Sequence, residues 1–408
     1  VEAIDVSVID AEVVLDSTVK AENSFAGSPS AKALGFAVTL NDVRGDATAS
    51  IANAAVSVSG GDISVRALED GTLRAITAVA LETGATGGTF TEVFNATGSA
   101  GDYFGGNKAL VIATNVLQGK ATAFVSDSTL ATTDSTADSG NVALLASNSA
   151  RVDAEVSNGV TGGANGVGGT LAFNTIGWEP QNILFNILDT VLGDPLLADE
   201  AFDGSGTSKA TAYLLDTTVA ASGMLSVMAS SAAQLKAEVS NTTETSSSKD
   251  LRKAVSTTGG LVLSQNKVSS SATAFIDYTT EGTDPINGDA VTAYSGARTI
   301  SAADGVRVQA TDQATIDALL ELSASTNAET TNFTSADARG FGVAVSFNDV
   351  RGGTQAYIDD ATVTANAGSI LIEAIADASL TAQTTVSAET SASGGGFLGG
   401  TTSQTITV

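Results

Sequence analysis

Residues 61–75 read GDISVRALEDGTLRA, and residues 368–382 read GSILIEAIADASLTA. Between them the same form returns as GNVALLASNSARVDA (140–154), GMLSVMASSAAQLKA (223–237) and GVRVQATDQATIDA (305–318). The shared form approximates Ala-x-x-x-Ala-x-apolar-x-Ala, usually led by Gly and by alternating apolar residues. Alternation of period two assigns each block to a strand. In the first copy Ile63, Val65 and Ala67 point one way, and Asp62, Ser64 and Arg66 point the other. The inward residues are small, as they must be where like side chains stack from one layer to the next. No ten-residue helical pattern recurs with the blocks.

Working outward, a shift of 307 residues superposes the start of the chain on its end without a gap. Val1, Ala3, Asp5 and Ile9 fall on Val308, Ala310, Asp312 and Ile316, and AVTLNDVRG (37–45) falls on AVSFNDVRG (344–352). Such a match marks an internal repeat. An apolar stretch ending in Asn divides the interval, at Asn41, Asn115, Asn174, Asn266 and Asn348. Eight residues after the Asn stands an alanine: Ala49, Ala123, Ala274 and Ala356. In the third unit the matching Ala212 comes 38 residues after Asn174, which places an insertion of 30 residues near 177–206. The units run about 1–108, 109–165, 166–258, 259–339 and 340–408.

One unit cannot bury its apolar face alone, but stacked neighbours can. The reading is an all-β chain, a single continuous right-handed parallel β-helix. Each unit supplies about three coils of ~20–25 residues, for a rod of ~80 Å at ~4.8 Å per coil. The alternative is a string of immunoglobulin-like sandwiches. Uneven unit lengths and small inward residues weigh against it. Within the insertion, EPQNILFNILDTVLGDPLL carries apolar residues at helical spacing between a Pro and Gly193-Asp194-Pro195, and predicts a short amphipathic helix. Packed back, it forms a lid. Turned outward, Trp178, Phe185, Leu188 and Leu192 form a partner-contact patch.

Composition narrows the chemistry. The chain of 408 residues has no Cys and no His, so it holds no disulfide, no thiolate nucleophile, no His-dependent triad and no Cys/His zinc site. A net charge of −27 repels nucleic acid and anionic membrane surfaces. No apolar run is long enough to insert in a membrane. The chain opens at VEAIDVSVID in mid-pattern, which reads as an excised or processed piece, and both ends stop within a repeat. Open ends expose unpaired strand edges, so end-to-end self-association or continuation in a longer chain is expected.

LVLSQNKVSSSATAFIDYT (261–279), AYIDDATVTANAGSILIEAIADASLTA (356–382) and GWEPQNILFNILDTVLGDPL (177–196) resemble the giant repetitive exoproteins of bacteria, filamentous-haemagglutinin-like β-helical surface proteins. The resemblance implies an extracellular or cell-surface setting. It also implies a structural part as rod or filament in adhesion, matrix or surface assembly, with a cell-surface or matrix polysaccharide as a partner. It brings no catalytic residues.

The candidate sites are sparse. The recurring Asn reads as a structural corner, tolerant of left-handed backbone and able to stack its amide on the next. Asp42/Arg44 and Asp349/Arg351 lie two apart on a strand and read as surface ion pairs. No cofactor is expected. Calcium is weighed for TDSTADSG, with Asp134 and Asp138, and for ADEAFDGSG, with Asp199, Glu200 and Asp203, although neither matches an EF-hand loop. Adjacent Asp359 and Asp360 do not converge, so no carboxylate pair is set for hydrolysis. The chain is read as non-catalytic. The alternative is a carbohydrate-binding or carbohydrate-active β-helix.

Overall fold

In the computed structural model, the structure describes residues 1–22, 33–86, 107–133, 139–163, 165–178, 208–249, 254–280, 282–283, 290–291, 293–330, 335–394 and 400–408. Three parallel sheets account for nearly all the strands among them. Sheet A stacks six long strands in chain order: β1 (Glu2–Glu22), β4 (Ile63–Thr86), β7 (Val142–Gly162), β11 (Met224–Lys249), β16 (Gly305–Thr330) and β20 (Ile370–Gly394). Sheet B is built from β2 (Leu34–Ala52), β5 (Asn107–Ser126), β8 (Asn165–Ile176) with β9 (Ser208–Leu215), β12 (Ala254–Asp277), β17 (Ala336–Arg351) with β18 (Thr354–Ile358), and β21 (Thr401–Thr407). Sheet C is narrow: β3 (Ala55–Val58), β6 (Thr129–Thr132), β10 (Thr218–Ala221), β15 (Thr299–Ala302) and β19 (Thr362–Ala365). A small antiparallel pair, β13 (Gly282–Thr283) and β14 (Ala290–Val291), stands apart.

The chain therefore runs A, B, C and back to A, rising one layer each time, as in a β-solenoid. Parallel pairing throughout the three large sheets rules out the antiparallel immunoglobulin-like sandwich.

One expectation about coil size is corrected. Each unit is one wide coil, not three narrow ones. The strand β4 keeps its in–out alternation from Ile63 to Thr83 without a break. A strand of that kind spans ~80 Å at ~3.3 Å per residue, whereas six layers at ~4.8 Å rise only ~24 Å from first to last. The long dimension lies across the coil and not along its axis.

Registers turn the sequence repeats into columns. Ala67, Ala146, Ala229, Ala310 and Ala374 are consecutive partners in sheet A. So are Ala75, Ala154, Ala237, Ala318 and Ala382. In sheet B the alanine eight residues after each Asn forms the column Ala49, Ala123, Ala212, Ala274 and Ala356. The 307-residue shift maps β1 onto β16, β2 onto β17 and β18, β3 onto β19, and β4 onto β20. In the third coil β8 stops at Ile176 and β9 starts at Ser208, and both pair with β5 and β12.

Sheets A and B face each other and run in opposite directions, with the core between them. Val65, Leu144, Val227 and Val308 meet Ala123, Ala212 and Ala274 near sheet C. Leu73, Val152, Leu235 and Ile316 meet Val43, Leu117, Ile176 and Val268 in the middle. Small side chains on both faces let the two sheets approach closely along their length. Toward the far end the interior becomes hydroxyl-lined, where Thr245 bonds Ser256 and Thr326 at 2.9 Å.

The turn from sheet B to sheet C uses left-handed backbone. Asn53, Asp127, Asp216 and Asp360 have φ near +50°, the residue types that tolerate it best. The turn back to sheet A uses glycine. Gly368 has φ +115°, and a Cβ there would lie 2.2 Å from the Asp304 carbonyl oxygen.

Candidate functional site

The five recurrent asparagines stack in one line. Asn41 Nδ2 donates to Asn115 Oδ1 at 2.9 Å, Asn115 to Asn174 at 2.8 Å, Asn174 to Asn266 at 2.9 Å and Asn266 to Asn348 at 2.8 Å. They sit inside β2, β5, β8, β12 and β17, and none has positive φ. The expectation of a corner is thus corrected: the corners are the Asn53 series, and these amides form a ladder within the strands. Asn115, Asn174 and Asn266 are buried. Each middle amide both donates and accepts, so the buried middle of the line is satisfied from within.

A second interior line is not satisfied. Asp5, Glu69, Asn148, Ser231 and Asp312 are consecutive partners on the inward face of sheet A. Across from them sheet B is thinned to Gly45, Gly119, Ser208, Ser270 and Gly352. Asn148 Nδ2 donates to the Gly119 carbonyl at 2.7 Å and to Ser208 Oγ at 2.9 Å. Asp312 Oδ2 accepts from the Gly353 amide at 3.3 Å. Both carboxylate oxygens of Glu69 are buried without a partner. Burial, and then the charges of Asp5, Asp46 and Asp70, push the Glu69 carboxyl up to about 7. Burial also raises that of Asp312, opposed by the nearby Ser270 hydroxyl, the Gly353 amide and the Ser231 hydroxyl. Those two hydroxyls lie near the carboxylate without forming a well-aligned hydrogen bond.

Sequence reasoning missed this line. The signal was parity: Glu69 falls in the inward series Ile63, Val65, Ala67, Gly71 and Leu73, and Asp312 in the series Val308, Ala310, Ala314 and Ile316.

Trp178 is 5% exposed, with Lys267 Nζ 4.9 Å and the Arg351 guanidinium 4.8 Å from its ring. It is a cation–π hub on the outside of sheet B, and its ring is covered rather than presented. Phe185, Leu188 and Leu192, with the expected helix, lie outside the described residues, as do Asp134, Asp138, Asp199, Glu200 and Asp203. The ion pairs are present, Arg44–Asp42 and Arg351–Asp349 each at 3.0 Å.

Outside, sheet A carries a column of alternating sign: Asp10, Arg74, Asp153, Lys236 and Asp317. Arg74 reaches Asp10 at 3.2 Å, and Lys236 reaches Glu238 at 2.7 Å. A shallow groove beside it is lined by Lys236, Glu238, Asp317, Thr381 and Gln383 and by no aromatic ring, so it has no platform on which a sugar would stack. The outer face of sheet B differs: a ring ladder of Phe124, Tyr213, Phe275 and Tyr357 stacks at 5.0, 4.9 and 4.9 Å. Leu34, Phe36, Val38 and Leu40 on β2 and Phe341, Val345 and Phe347 on β17 are exposed there. Comparison with protein-family models, with curated proteins and with solved structures finds no match to this chain.

Proposed function

We propose that this chain is a non-catalytic structural segment of an extracellular, repetitive bacterial surface protein, a rod or filament element for adhesion, matrix or cell-surface assembly. One observation carries the reading: every coil repeats the same columns in the same register, an architecture that lengthens by adding layers. A right-handed winding is the sense expected of such parallel connections.

The last layer supports the reading. Ile372 and Leu380 on β20 continue the core columns of Val308 and Ile316, yet are 47% and 49% exposed. Core residues in that state call for another layer, from a second copy or from further chain. The exposed apolar residues of β2 and β17 add a side surface for contact with a matrix.

The test is assembly. Electron microscopy of the purified chain should find fibres with a repeat of ~29 Å, six layers at ~4.8 Å. A monomer over a wide concentration range by ultracentrifugation, together with release of fragments from a polysaccharide panel, would reverse the reading in favour of an enzyme.

A further inference from the structure

Six buried oxygens without a hydrogen-bond partner lie along the second interior line: both of Glu69, Asn148 Oδ1, Ser231 Oγ, Ser270 Oγ and Asp312 Oδ1. The five side chains are each no more than 2% exposed. Glycine makes the room they occupy. A Cβ on Gly45 would lie 2.3 Å from Glu69 Oε1, and one on Gly352 would lie 2.6 Å from Asp312 Oδ2.

The chemistry of the orphans is one-sided. The carboxylate and amide oxygens only accept, and the two hydroxyls can do either. No buried side-chain N–H in this line lacks an acceptor. Neither Glu69 nor Asp312 has a basic ion-pair partner among the described residues. Water would supply hydrogens but would not neutralise the charge, and an uncompensated buried carboxylate is expensive. What the line lacks is positive charge. No three carboxylates converge among the described residues, so neutral oxygens must complete any coordination sphere. An all-oxygen donor set selects a hard cation, and this chain has no thiolate or imidazole to favour a softer one.

We propose that this line is a cation-binding file inside the coils. One hard, oxygen-seeking cation sits at the Glu69–Asn148 end and a second at the Ser231–Ser270–Asp312 end. The ions bind adjacent layers to each other, which makes them structural ties along the stacking direction.

The experiment compares thermal unfolding of wild type, Glu69→Gln, Asp312→Asn and the double variant at pH 8, after chelation and in a choline buffer. CaCl2 should raise the wild-type midpoint by several degrees. Each single variant should lose about half of that rise, and the double variant all of it. The double variant should also be more stable than wild type without metal, because it buries no charge. An equal rise with NaCl in place of CaCl2 would assign the file to a monovalent hard cation. A full calcium response in the double variant would move the effect to surface acids and overturn the proposal. No response of wild type to either salt would overturn it too, leaving a proton as the occupant. If a variant fails to fold, calorimetric titration of wild type decides: absence of binding heat with CaCl2 and with NaCl overturns the proposal.

Discussion

Asn174 accepts from the Asn115 amide at 2.8 Å and donates to Asn266 Oδ1 at 2.9 Å, so a fully buried side chain ties three successive layers. The ladder is therefore specific in one direction, along the stack.

Asn174→Ala should leave one donor and one acceptor buried and unpaired. At about 1–3 kcal/mol for each orphaned group, the loss is about 2–6 kcal/mol. Asn174→Asp should cost more, because it keeps the shape, loses the donor and buries a charge. Urea unfolding at pH 7 ranks the two. An Asp variant as stable as wild type would show that the ladder is ornamental.

The outer ring ladder gives a second case. Tyr213 stacks between Phe124 and Phe275, and Tyr213→Ala should cost about 3–5 kcal/mol. The first layer breaks the ladder: Ser50 is the registered partner of Phe124 and is exposed. Ser50→Phe should extend the stack and gain about 0.5–1.5 kcal/mol. A loss of stability in the Ser50 variant would show that the outer column does not reach the first layer.

Backbone strain separates two glycines of the fifth coil. Gly368 combines φ +115° with a backbone oxygen where its Cβ would stand, whereas Gly353 has ordinary φ and open space. Gly368→Ala should destabilise by about 2 kcal/mol or more, and Gly353→Ala should lie within about 0.5 kcal/mol of wild type. Equal effects, measured by thermal unfolding, would mean that the turn relaxes.

Columns were legible in the sequence because each layer repeats the same side chain at the same place. Asn41 and Asn348, 307 positions apart, proved to be the two ends of one ladder. Coil width was not legible. Period-two alternation reads the same in a strand of six residues as in β4, and it carries no mark of where the chain turns. Neither does propensity, since Ala, Thr and Ser suit both short and long strands. The Asn corner failed for a related reason: recurrence shows that a residue is structural without showing where in the layer it stands. The true corner residues, Asn53, Asp127, Asp216 and Asp360, recur with gaps, Tyr278 taking the place in the fourth coil. The Glu69 line was hidden by habit, since acidic residues are expected outside.

Glu69 also makes stability depend on pH in a direction opposite to most acids. Its carboxyl is raised from 4.5 in the open chain to about 7 in the fold. A raised acid favours folding most when both states are protonated, below pH ~4.5, and that advantage fades as pH climbs toward ~7. Without metal, a shift of that size corresponds to a loss of about 3 kcal/mol across the window. The net charge of −27 adds a general decline with rising pH, so the quantity to follow is the difference between wild type and Glu69→Gln. In a chelating buffer that difference should grow in favour of the Gln variant between pH 4.5 and 7.5, and then level off. A difference that stays flat across the same window would mean that Glu69 ionises as an ordinary surface acid.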